Sequence, residues 1–67
     1  MSHMCIEATS RAAADFGYSV TVVHDACATM NLEFEGTLVP AAQVHAAAMA
    51  ALAFGYASIK TTDAYLA

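Results

Sequence analysis

Positive charge is nearly missing from this sequence: Arg11 and Lys60 are the only permanent cations, set against six carboxylates for a net charge of −4. A chain of this sign cannot displace counterions from a phosphate backbone, so neither nucleic acid nor an anionic membrane is expected as a partner. Long apolar runs are missing too. Gln43 and His45 interrupt the alanine-rich segment and Gly55 ends it, so no stretch reads as a membrane-spanning helix, and no basic region precedes a hydrophobic one as in a secretion signal. These absences predict a cytoplasmic chain. Proline occurs once and glycine three times, which leaves no linker of low complexity and makes each of those residues a marked position. Cysteine is limited to Cys5 and Cys27; a reducing compartment predicts two free thiols, not a disulfide.

What the sequence does have is apolar surface, at 60% hydrophobic residues. That content excludes an intrinsically disordered tail. A chain of 67 residues buries only about 60% of its unfolded surface, so its core is small. Apolar residues in excess of that core predict faces that other polypeptide covers.

The run Ser2-His3-Met4-Cys5-Ile6-Glu7 opens a helix expected from about Met4 to Phe16, with Ser2 or His3 as its cap, Glu7 favourable in the first turn, and an apolar stripe of Ile6, Ala13 and Phe16. Gly17 supplies the left-handed residue that stops it. Tyr18 to His24 is β-branched and apolar at both parities toward its end, the pattern of a strand covered on both faces in a parallel sheet. Asp25 to Val39 reads as a loop with one helical turn. Pro40 then begins a second helix to Phe54, closed by Gly55, and Tyr56 to Thr61 reads as a short final strand. Val44, Ala48 and Ala51 form one stripe of the second helix and His45, Met49 and Leu52 the next. With no permanent charge between Pro40 and Phe54, that helix is expected to be buried on more than one side, Ala48 and Ala51 facing a partner. Helix, strand, helix, strand in this order predicts an α/β fold with parallel strands joined by a right-handed crossover.

Within this frame Cys5 is the candidate nucleophile. A helix N-terminus presents unpaired N–H groups and a positive dipole, which favour a thiolate, and the amides of Met4 and Cys5 are candidate donors to an oxyanion above the sulfur.

The residues Ser2, Cys5, Ile6, Thr9, Arg11, Ala13, Asp15, Gly17 and Tyr18 resemble the Thr/Ser-x-x-Cys-Val/Ile-x-x-Thr-x-Arg-x-Ala-x-Asp-x-Gly-Tyr pattern of the isochorismatase-like cysteine hydrolases. Val22-Val23-His24-Asp25-Ala26 and Pro40-Ala41-Ala42-Gln43-Val44-His45 resemble that family's next strand with its Asp-Ala turn and its last long helix. The resemblance implies that residues 1–67 are the C-terminal portion of one three-layer α/β/α domain with a parallel sheet. It further implies Cys5 as the attacking group, oxyanion donors at the amides of Cys5 and of position 1, and a thioester route to cleavage of a small amide, ureide or related C–N bond. The family's Asp base and Lys match no residue here. Nor do the Asp and two His that bind metal in its nicotinamidase branch, so no metal and no cofactor is expected of this chain. The expected partners are a small-molecule substrate and either a second copy or the N-terminal part of the domain. The alternative reading is a non-catalytic structural or oligomerisation module that retains part of the fold.

The remaining chemistry-bearing residues have milder readings. His3 and Met4, beside Cys5, are candidate substrate contacts, His3 doubling as a loop or cap residue. Asp25 reads as a strand-end turn residue before it reads as a base, and Lys60 as a solvated strand residue. His24 and His45 read as strand-end and helix-packing residues. Cys27 is a small packed residue, with a resolving-thiol role as its alternative.

Overall fold

The computed structural model describes residues 1–67. Chain entry is wider than an α-helix. Ser2–Ile6 is a single π turn, in which the Ile6 N–H reaches the Met1 carbonyl at 3.3 Å, and it leads directly into α1, Glu7–Asp15. The helical run therefore begins at Ser2 and not near Met4, and neither Ser2 nor His3 caps it with a side chain. Its end follows the sequence expectation. Gly17, at φ +92°, lets Tyr18 N–H donate to the Ala13 carbonyl (3.0 Å) and Gly17 N–H to Ala14 (2.9 Å), the paired bonds of a left-handed helix stop. Phe16 departs from its predicted role in the packed stripe: just past the end of α1 it is 82% exposed.

The first strand, β1, is confined to Thr21–Val23 because its partner β4, Ser58–Lys60, offers three residues. The two pair parallel, Val22 opposite Ile59 and Val23 opposite Lys60, with Ser58 N–H donating to the Val20 carbonyl just ahead of the ladder. The predicted parallel sheet is thus present as a pair of strands, joined through α2, Ala41–Gly55.

The segment expected to be a loop carries more structure. After a 3₁₀ turn at His24–Ala26, β2 (Leu32–Phe34) and β3 (Thr37–Val39) form an antiparallel hairpin with Phe34 opposite Thr37. Both connecting residues have positive φ, Glu35 at 49° and Gly36 at 82°, the backbone that joins two strands through two residues. The Glu-Gly pair between Leu32, Phe34 and Leu38 was the available signal. At the base of the hairpin the Asn31 Oδ1 accepts from the Ala41 N–H at 2.8 Å, supplying the start of α2 with a partner from ten residues away.

Helix α2 starts one residue after Pro40 and includes Gly55, which stays right-handed; the stop is made by Tyr56 and Ala57, whose N–H groups both reach the Leu52 carbonyl. Its buried residues are Val44, Ala48, Met49 and Leu52. Leu52 is fully buried, and with Val22, Ala48 and Met49 it forms the core, against which Ile6, Val20, Cys27, Tyr56, Ala57 and Ile59 pack. Ala48, 4% exposed, therefore faces this chain's own strands and not a partner, while Ala42, Ala46, Ala50 and Ala53 form the outward face. The reason is rotational: the two stripes read from the sequence lie side by side and make up the single face turned to the sheet. A final short helix, α3 (Thr62–Leu66), capped by the Thr61 hydroxyl on Ala64 N–H, was not anticipated.

Candidate functional site

Cys5 lies on the π turn, exposed and free. Single π turns within helices occur often at functional sites. Two anchors hold this one. Ser2 is fully buried; its N–H donates to the Ala28 carbonyl at 3.0 Å, and its Oγ lies 3.3 Å from that oxygen and 2.7 Å from His45 Nδ1. His3 Nδ1 meets Thr29 Oγ1 at 2.8 Å. The turn carrying Cys5 is thereby stitched to the segment that follows β1 and its 3₁₀ turn.

Beside the thiol is a hollow of about 400 Å³ whose walls are Cys5, Ile6, Thr9 and Ser10 on one side and Thr21 to Val23, Ala26 and Cys27 on the other. No charged residue lines it. Cys27, half-buried and free, directs its Sγ toward the Val23 carbonyl at 3.5 Å. All three residues of β1, which pairs with β4 alone, border the hollow. A ligand seated here would meet the thiol, the hydroxyl-bearing residues Thr9, Ser10 and Thr21, and an apolar wall.

The other residues singled out from the sequence are distributed more widely. His3 lines a different hollow, of about 480 Å³, between α2 and the hairpin, with Glu7, Leu32, Phe34 and Val44 among its walls. Met4 is exposed and lines neither; its N–H donates to the Met1 carbonyl at 3.1 Å, so the amide read as an oxyanion donor is already engaged in the turn. Met1 contributes its carbonyl to the same turn.

Asp25 is a tether. Its Oδ1 accepts from the Thr62 hydroxyl at 2.7 Å and the Thr62 N–H at 2.8 Å, clasping α3 to the 3₁₀ turn. The Thr62 hydroxyl bond is the chief reason its carboxyl titrates below the usual 3.8. Lys60 is exposed at the end of β4. His24 and His45 stand with ring centroids 6.1 Å apart. No three His, Cys, Asp or Glu side chains converge as metal ligands would. No helix is long and apolar enough to cross a membrane.

Two residues hold roles that no local sequence pattern signals. Arg11 spreads its guanidinium over the Tyr56 ring, 4.6 Å from the centroid, and pairs with Glu7 at 3.6 Å. It ties α1 to the turn after α2 by a cation–π contact. Thr62 holds Asp25, and nothing in the local pattern of either residue signals a partner 37 positions away.

The relatives agree with this architecture. The Isochorismatase domain family matches residues 1–64. The uncharacterised isochorismatase family protein YddQ of Bacillus subtilis is 58% identical over 66 residues, which are 98% of this chain and 37% of that protein. The crystal structure of a proposed isochorismatase hydrolase from Oleispira antarctica superposes with a TM-score of 0.95 at 60% identity, over 97% of this chain and 35% of that one. An isochorismatase from Pseudomonas putida superposes at 0.92 with 42% identity, over 96% of this chain and 33% of its own. The chain thus spans about a third of the length of these relatives. With the helix stop at Gly17, the parallel β1–β4 pair and nearly every residue inside the match, this chain belongs to the isochorismatase family.

Proposed function

We propose that residues 1–67 carry the nucleophile-bearing part of a cysteine hydrolase acting on a small amide, ureide or related C–N bond. The observation that carries the reading is the position of the exposed Cys5 thiol, on a helical turn held against the segment following β1 and opening on an uncharged hollow. In open α/β sheets ligands gather near the carboxyl ends of strands, and Val23, Ala26 and Cys27, which line this hollow, lie at or just beyond that end of β1.

The Cys5 thiolate adds to the substrate carbonyl carbon, forming a C–S bond and moving the carbonyl electron pair onto oxygen, where the Cys5 N–H is the proposed donor. Collapse breaks the C–N bond, and the amine departs with a proton. Water then adds to the thioester and releases the acid, returning the thiol. Asp25 is engaged by Thr62, and no residue here takes the part of the family's Asp or Lys; proton transfer belongs to the remainder of the domain. The exposed Phe16, Phe54 and outer alanines of α2 are proposed to be covered by that remainder or by a second copy.

The test replaces the corresponding third of the Oleispira antarctica protein, 60% identical, with residues 1–67. The chimaera should release amine from a panel of small amides and ureides, and Cys5→Ala should lower that rate at least about 10²-fold while binding persists. An active chimaera whose rate is indifferent to Cys5→Ala would sink the cysteine mechanism.

A further inference from the structure

Cys27 is a second free thiol on the wall of the hollow that Cys5 opens into, 22 positions away in sequence. We propose that Cys27 is the resolving thiol for Cys5, so that a peroxide drives the pair into a reversible Cys5–Cys27 disulfide. The proposal deepens the reading of Cys5 as the reactive thiol and assigns the hollow a modification chemistry besides hydrolysis.

Three observations bring the pair together. Both residues line one hollow. Ser2 and His3, within the turn that carries Cys5, bond to Ala28 and Thr29, the two residues directly after Cys27, through three hydrogen bonds of 2.8 to 3.3 Å. Cys27 itself has extended backbone, at φ −112° and ψ 148°, beyond the 3₁₀ turn, and its Sγ has only a 3.5 Å contact with a carbonyl to give up. A disulfide requires Cα atoms within about 7 Å; Cys5 lies three residues from Ser2 and Cys27 one residue from Ala28, the two residues whose bonds stitch the segments together. The exposed Cys5 side chain is the one free to swing.

The chemistry balances with a peroxide as oxidant. The Cys5 thiolate attacks one peroxide oxygen, the O–O bond breaks, and hydroxide or alkoxide leaves, giving a sulfenic acid. The Cys27 thiol then attacks that sulfur; the S–S bond forms, the S–O bond breaks, and water departs with the thiol proton. A neutral peroxide enters an uncharged hollow freely. Glutathione is anionic and meets a chain of net charge −4, so the internal thiol has the advantage as resolver.

The experiment exposes the 67-residue chain to hydrogen peroxide, quenches with N-ethylmaleimide and reads intact mass. The wild-type monomer should lose about 2 Da and take no maleimide until dithiothreitol restores both thiols. In Cys27→Ser, Cys5 should instead gain about 16 and then 32 Da, and the later product should resist dithiothreitol. In guanidinium the internal disulfide should form about tenfold more slowly, because the unfolded chain must close the loop itself. Wild type that over-oxidises at Cys5 while Cys27 still alkylates, a disulfide found only between chains, or equal rates in denaturant would each overturn the proposal. The hydrolytic reading is tested separately. A chimaera without amidase activity but with an intact disulfide response removes only that reading, and an active chimaera whose cysteines never pair removes only this one.

Discussion

Ser2 and His45, 43 positions apart, meet through a 2.7 Å contact between Oγ and Nδ1 inside the fold. Both polar groups are satisfied at once when His45 Nδ1–H donates to the hydroxyl and the hydroxyl passes its own proton to the Ala28 carbonyl, 3.3 Å away. One buried hydroxyl thereby joins α2, the segment after β1 and the turn that carries Cys5.

Ser2→Ala should therefore destabilise the chain by about 1–3 kcal/mol, the cost of leaving buried polar groups without their partner. Urea unfolding of the two proteins measures it. A change under about 0.3 kcal/mol would mean that the hydroxyl network contributes nothing beyond what backbone bonds supply.

On α2 the two faces should respond oppositely. Leu52→Ala removes the fully buried centre of the core and should cost about 2–5 kcal/mol, whereas Phe54→Ala, at a side chain 95% exposed, should stay within about 0.5 kcal/mol. Ala48→Glu belongs with Leu52, since it would place a charge among Val22, Met49 and Leu52. Ala46→Glu with Ala50→Glu should leave the fold intact. If a second copy covers the outer face, that double variant should also abolish association in sedimentation, while an unchanged assembly would discard the face as a seam.

Access separates the two thiols. Cys5 is exposed whereas Cys27 is half-buried with its Sγ toward Val23, so iodoacetamide under reducing-agent-free, non-oxidising conditions should alkylate Cys5 first. Peptide mapping of singly labelled chain reads the order. Equal labelling would show that the hollow does not shield Cys27.

Asp25 makes part of the stability pH-dependent. Its carboxyl is held below 3.8 chiefly by the Thr62 hydroxyl bond. A lowered folded pKa means that the contribution is complete above the unfolded value and fades as pH falls through the folded one, so α3 should loosen under acid conditions below about pH 4 and stay docked at neutrality. Thr62→Val should move the Asp25 titration upward toward the ordinary carboxylate range, read from its side-chain carbon by NMR. An unmoved midpoint would assign the shift to some other neighbour.

Much of the architecture was legible in the residues themselves because its causes are local. Gly17 after an amphipathic run, the β-branched Thr21–Val23 and Pro40 at the head of an alanine-rich segment each act within a few positions, and the pattern from Ser2 to Tyr18 carries the family resemblance that the match over residues 1–64 bears out. The hairpin is equally local, its turn marked by Glu35-Gly36, but the charged Glu33 and Glu35 obscure the short apolar alternation of Leu32, Phe34 and Leu38 around it.

What only the tertiary structure decided involves partners far apart in sequence. Which side of α2 is inside depends on where the β1–β4 pair lies, since a helix apolar nearly all round carries no preference of its own. That Ser2 is a buried link and not a cap depends on Ala28 and His45, and that Asp25 is a tether depends on Thr62. The π turn is likewise held from a distance, Ser2 by Ala28 and His45 and His3 by Thr29. The sequence by itself determined where Cys5 stands along the chain; folding decided that its neighbour across the hollow is Cys27, because loop closure through 22 residues is set by contacts that no local pattern encodes.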